Sequence, residues 1–92
     1  MYSNFLLGKL KITEAARMKL NRTPLDLVAR HAIGDHGLVT PQELQANSEA
    51  MKTADQIVSR YLIDPTDPAQ GRVLVVTDES WETTTVKLES EL

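Results

Sequence analysis

Ninety-two residues are enough for one domain, and a chain of this length buries only about 60–65% of the surface its unfolded form exposes, so its core is modest. With 41% hydrophobic and 25% charged residues, but only Tyr2, Phe5, Tyr61 and Trp81 aromatic, the composition is globular and the core mostly aliphatic. The lack of cysteine excludes disulfides and thiolate chemistry, and no apolar run approaches the roughly 20 residues of a membrane span, so a cytoplasmic setting is expected.

The net charge of −3 hides an asymmetry. Residues 1–36 carry six bases against three acids, a balance of +3, whereas residues 37–92 carry four bases against ten acids, a balance of −6. If the halves fold to different sides, the molecule has two electrical faces.

In chain order, residues 1–7 and 89–92 are expected to fray. Gly8 to Thr13 alternates base and aliphatic, as an edge strand does, with Leu10 and Ile12 on one face and Lys9 and Lys11 on the other. Thr13 is a helix cap, and the helix it starts runs to about Asn21 with Ala15 and Met18 on its packed face. Thr23-Pro24 predicts a second start, with threonine as cap, proline at the first helical position and Asp26 in the first turn. Leu25, Val28, Ala29 and Ala32 form its apolar stripe, widened by Leu27 and Ile33, and Gly34 stops it. Thr40-Pro41-Gln42-Glu43 is a capping box opening a third helix, with Leu44, Asn47 or Ser48, and Met51 on one face.

From Gln56 the period changes from 3.6 to 2. QIVSRYLI, RVLVVTD and ETTTVKL read as an antiparallel three-strand meander, with an exposed loop from Asp64 to Gly71 and a second turn from Asp78 to Trp81. The expected fold is therefore α+β: three short helices packed on an antiparallel sheet of three to four strands, in the order β-α-α-α-β-β-β. The first strand can join either edge of the meander.

His31, Asp35 and His36 spell H-x-x-x-D-H, residue types that zinc, manganese or iron would accept. Gly34 breaks the helical geometry between the two histidines, and no further histidine or cysteine completes a set. A metal-dependent enzyme at these residues is thus the least favoured reading. The serines at 3, 48, 59, 80 and 90 lie in no nucleophile elbow, and the glycines form no phosphate loop, so no catalytic residue, cofactor or metal ligand is assigned. Lys9, Lys11, Arg17, Lys19 and Arg22 form a candidate phosphate-binding patch, without interleaved aromatic residues. Trp81 is the candidate anchor for a protein partner, with Glu79 and Glu82 beside it and Asp64 and Asp67 in the preceding loop. The alternative for Trp81 is a ring folded back over the sheet edge. A chain of this size with an open sheet edge is expected as a monomer or homodimer.

LVARHAIGDHG, Asn47, SRYLI, a glycine-ended loop, RVLVVTDES and TTTVKL together resemble the small plasmid-related proteins of bacterial mobile elements, over about Gly8 to Leu92. The family's usual turn has tryptophan where this chain has His36, which argues against His36 as an essential ligand. The resemblance brings no activity, cofactor or catalytic residue, and implies a plasmid- or phage-linked setting. The leading expectation is a non-enzymatic interaction protein, such as a counter-defence inhibitor of the anti-CRISPR type that binds a host nucleoprotein complex. A nucleic-acid-binding accessory protein using the basic N-terminal third is the alternative.

Overall fold

The computed structural model describes residues 5–91. Its strands are β1 (Lys9–Ile12), β2 (Ile57–Leu62), β3 (Arg72–Thr77) and β4 (Thr83–Leu88), and its helices are α1 (Glu14–Leu20), α2 (Leu25–Ala32) and α3 (Pro41–Thr53). The sheet order is β1-β4-β3-β2. The meander is antiparallel as expected, but β1 joins β4 in parallel, making an α+β fold with a mixed sheet. The three-helix crossover carries the chain from one edge to the other, and the meander then returns it to β1.

Strand alternation and register separate two faces. Ile57, Ser59 and Tyr61 of β2, Val73, Val75 and Thr77 of β3, and Thr84 and Val86 of β4 are buried on the inner face. Ala16 of α1 and Leu27 and Val28 of α2 pack on Tyr61, Val73, Val75 and Val86; Phe5, Ala50 of α3 and Ile57 form a second cluster with Met51 and Trp81. Residues 1–4 and 92 of the segments expected to fray lie outside the described residues; Phe5 is buried, and Glu91 accepts hydrogen bonds from Thr13 Oγ1 and Leu88 N.

The Thr13 and Thr40 helix caps form as expected, the Thr23 cap does not, and the packed faces shift. Thr13 caps α1 by accepting from Ala16 N, and left-handed Asn21 closes it, but the packed residues are Ala16 and Leu20, while Met18 is exposed. Thr23 does not cap α2. Pro24, at φ −84° and ψ 54°, makes an inverse γ-turn in which Leu25 N donates to the Thr23 carbonyl, so the helix starts one residue later. Its buried stripe is Leu27, Val28, His31 and Ala32, with Leu25 and Ile33 exposed. The Thr40–Glu43 capping box forms in full.

Asn47, buried on α3, seals the β2 edge: its Nδ2 donates to the Val58 carbonyl at 2.7 Å and its Oδ1 accepts from Val58 N at 3.0 Å. A carboxamide so placed substitutes for a neighbouring strand. Asn47→Ala leaves both backbone groups without partners at a partly buried site and is expected to cost about 2–3 kcal/mol, read as a lowered urea midpoint with an unchanged m-value.

Candidate functional site

The residues best equipped for chemistry meet under α2. His31 and Ser59 have no exposed surface, nor do Thr77 and Thr84, and His36 is 4% exposed. Ser59, Thr77 and Thr84 share strand parity with the core residues beside them, so the sheet presents three hydroxyls where it would otherwise present methyl groups. Helix α2 lowers His31 onto them.

The direction of every hydrogen bond follows from one terminal acceptor. Thr84 Oγ1 donates to the Leu7 carbonyl at 2.7 Å, which uses its only proton. Thr77 Oγ1 must then donate to Thr84 Oγ1, also at 2.7 Å, and accept from His31 Nε2–H at 2.9 Å. His31 Nδ1 is left as an acceptor for Ser59 Oγ–H at 2.5 Å, and Ser59 Oγ accepts from His36 Nδ1–H at 2.7 Å. Both imidazoles are neutral in this chain, with the proton on Nε2 of His31 and on Nδ1 of His36.

The electrostatics agree with that assignment. Burial pushes the His31 imidazole down to about 3, helped by its neighbour His36, and burial also lowers His36 against the partial upward pull of Asp35. Phe5 meets the His31 ring edge-on at 5.1 Å between centroids, closing it from above. Ser59 lies between two histidines, wholly buried, and its hydroxyl links the two rings.

Asp35 does not join the histidines. Its carboxylate takes Arg30 Nε at 2.7 Å, its carbonyl accepts from Tyr61 Oη at 2.6 Å, and the Arg30 guanidinium stacks 4.6 Å from the Tyr61 ring centroid. The Arg30 contact holds the Asp35 carboxyl below the usual carboxylate range, and burial pushes the Tyr61 phenol up to about 12. Among the described residues no three histidine or acidic side chains converge as metal ligands.

The acidic set is divided. Asp64 and Asp67 lie in the β2–β3 loop and Glu79 and Glu82 in the β3–β4 turn, at opposite ends of β3, about 17 Å apart for a six-residue strand. Asp64 accepts from Thr66 N and Oγ1, and Asp67 from Ala69 N and Gln70 Nε2, so both shape their loop. Trp81 folds back over the sheet edge: its Nε1 donates to the Asp55 carbonyl at 3.0 Å and its ring lies 5.7 Å from Phe5. The basic set is divided too. Lys9 and Lys11 face outward on β1, Lys19 and Arg17 belong to α1 on the inner layer, Lys19 Nζ donates to Gln70, and Arg22 is paired with Asp26 at 2.5 Å.

Sequence reasoning missed Ser59, Thr77 and Thr84. The usable signal was their parity: each stands two residues from a buried aliphatic or aromatic side chain in its own strand.

A cleft of about 340 Å³ lies where α2 ends against α3, lined by Ile33, Gly34, His36, Leu44, Ser48 and Met51. Ile33 is 57% and Leu44 53% exposed, so two large aliphatic side chains stand open at its walls. No family model, curated protein or solved structure matches the chain. Among the described residues, no helix is long and apolar enough to cross a membrane.

Proposed function

We propose that this protein is a non-enzymatic binding domain of a bacterial plasmid or phage, and that it acts as a counter-defence inhibitor by docking on a host nucleoprotein complex. The observation that carries the binding reading is the cleft between α2 and α3, where Ile33 and Leu44 are open to solvent beside Met51. The side chains that would otherwise suggest catalysis, His31, His36 and Ser59, are committed to one another inside the fold. The mobile-element setting rests on the sequence resemblance.

A protein partner that inserts an apolar side chain between Ile33 and Leu44 gains burial of their exposed halves, about 1–1.5 kcal/mol each. The test is co-elution of the purified protein with a bacterial RNA-guided nuclease complex, followed by measurement of target cleavage. Binding and inhibition are expected, and Ile33→Glu with Leu44→Glu should abolish both while leaving the melting temperature unchanged. Failure to bind, or binding that ignores both substitutions, rejects the proposal.

A further inference from the structure

No helix packs on the outer sheet face, although Leu74 of β3 is buried on that side. Ala16, Leu27 and Val28 pack on the inner face, and α3 reaches the sheet through Ala50 against Ile57 and Asn47 at the β2 edge. On the outer face, strand register places Lys9 and Lys11 on β1 beside Thr83 and Thr85 of β4, and Lys87 of β4 opposite Leu74 of β3. Arg72 follows on β3, two residues before Leu74. Lys9, Lys11 and Arg72 are exposed, and Lys87 is half-buried.

These four cations form a line. Residues two apart along a strand are about 6.6 Å apart and neighbouring strands about 4.8 Å, so Lys9 to Lys11 is one axial step of about 7 Å. Lys11 to Lys87, and Lys87 to Arg72, are diagonal steps of about 8 Å on the same spacings. This spacing is of the same order as that of successive phosphates on a nucleic-acid strand. No strand residue on this face is acidic, but Glu89, just past the end of β4, brings its carboxylate onto it beside Arg72. The remaining outward base, Arg60, is already held by Glu43 at 2.6 Å, and it reaches across β3 to Glu89, with Nε 2.7 Å from the carboxylate but out of hydrogen-bond alignment.

We propose that the open sheet face binds the backbone of duplex DNA through Lys9, Lys11, Lys87 and Arg72. The outward strand positions carry no aromatic side chain on which the bases of a single strand would stack. Thr83 and Thr85 add hydroxyl donors between the cations. The acidic turns at the two ends of the sheet, with Glu79 and Glu82 at one and Asp64 and Asp67 at the other, repel phosphate and confine the footprint to the cation line. The surface differs from the helix-side cleft and takes only Lys9 and Lys11 from the basic N-terminal third, leaving out Arg17, Lys19 and Arg22.

Fluorescence anisotropy of the intact protein with a short labelled DNA duplex tests this. Four phosphate contacts predict a slope of log affinity against log salt of about −3 to −4. Lys11→Glu with Lys87→Glu is expected to weaken binding at least about tenfold and bring the slope to about −2 or shallower, with thermal melts confirming the fold. Arg17→Glu with Lys19→Glu, on the helical layer, should change affinity less than twofold, as should Ile33→Glu in the cleft. The inference is overturned if no duplex binding occurs at low salt or if the α1 variant loses as much as the sheet variant. Tighter binding of single-stranded DNA, duplex RNA or polyglutamate than of duplex DNA overturns it equally.

Discussion

Acidification from pH 7 to pH 4 is expected to remove about 3 kcal/mol of folding stability through His31 alone, a large part of the roughly 5–14 kcal/mol available to a domain of this size. The folded imidazole is held at about 3 while the unfolded one titrates near 6.5, so below pH 6.5 the unfolded chain takes up a proton that the folded chain refuses. Stability is therefore full above pH 6.5 and falls toward pH 3 by about 1.4 kcal/mol per pH unit. His36 adds to the fall in the same direction. The carboxylates held low by arginines, Asp26, Asp35 and Glu43, contribute only below their ordinary values near 4, so the interval from pH 6.5 to 4.5 belongs to the histidines. Urea midpoints at constant salt should be flat from pH 9 to 7 and decline steadily below 6. His31→Leu should lower stability at pH 8 by about 2–4 kcal/mol, read as a lower urea midpoint, because Ser59 and Thr77 each lose one hydrogen-bond partner, and should make the acid decline shallower. A wild-type midpoint unchanged between pH 7 and pH 5 would sink the neutral-relay assignment.

The local signals in the sequence were specific because their causes are local. Thr13 and Thr40 sit beside the backbone groups they cap, Asn21 follows the last turn of α1, and alternation in residues 57–88 fixes strand faces without reference to distant residues. The parallel docking of β1 on β4 depends on how three helices cross the sheet, which no local pattern encodes. The candidate sites were less legible for a related reason. Sequence spacing groups His31 with Asp35 and His36, its neighbours in the chain, whereas its partners Ser59 and Thr77 lie 28 and 46 residues away. Hydrophobic patterning assigns Leu25 to the buried stripe that His31 occupies, because it cannot anticipate hydroxyls on the sheet that make an imidazole the better fit. The same distance effect divided the charge clusters. Lys9 and Arg17 are close in sequence but lie on opposite layers, whereas Lys11 and Lys87 are far apart in sequence and share one face.

Gly37→Ala is expected to unfold the β2 edge at a cost above about 3 kcal/mol, the range reached when backbone strain and overpacking combine. Gly37 makes a parallel bridge to Arg60, flanked by Arg60 N donating to the His36 carbonyl at 2.9 Å and Leu38 N donating to the Arg60 carbonyl at 2.7 Å. This close approach requires a residue without a side chain: a Cβ at position 37 would stand 2.2 Å from the Arg60 carbonyl oxygen and 2.7 Å from the Tyr61 ring. Backbone cannot move aside as a flexible side chain can, and φ of +69° adds strain for any L-residue. The displaced segment carries His36 at its head, so the loss extends to the His36–Ser59 bond and the outer end of the relay. It also uncovers the half of the β2 edge that Asn47 does not seal, leaving strand groups free to pair with another molecule. The expected results are a lowered urea midpoint, faster amide exchange at Leu38 and Arg60, and concentration-dependent self-association by light scattering. An alanine variant with wild-type stability and exchange would place residues 36–38 away from β2 in solution and remove the seal from the account of this fold.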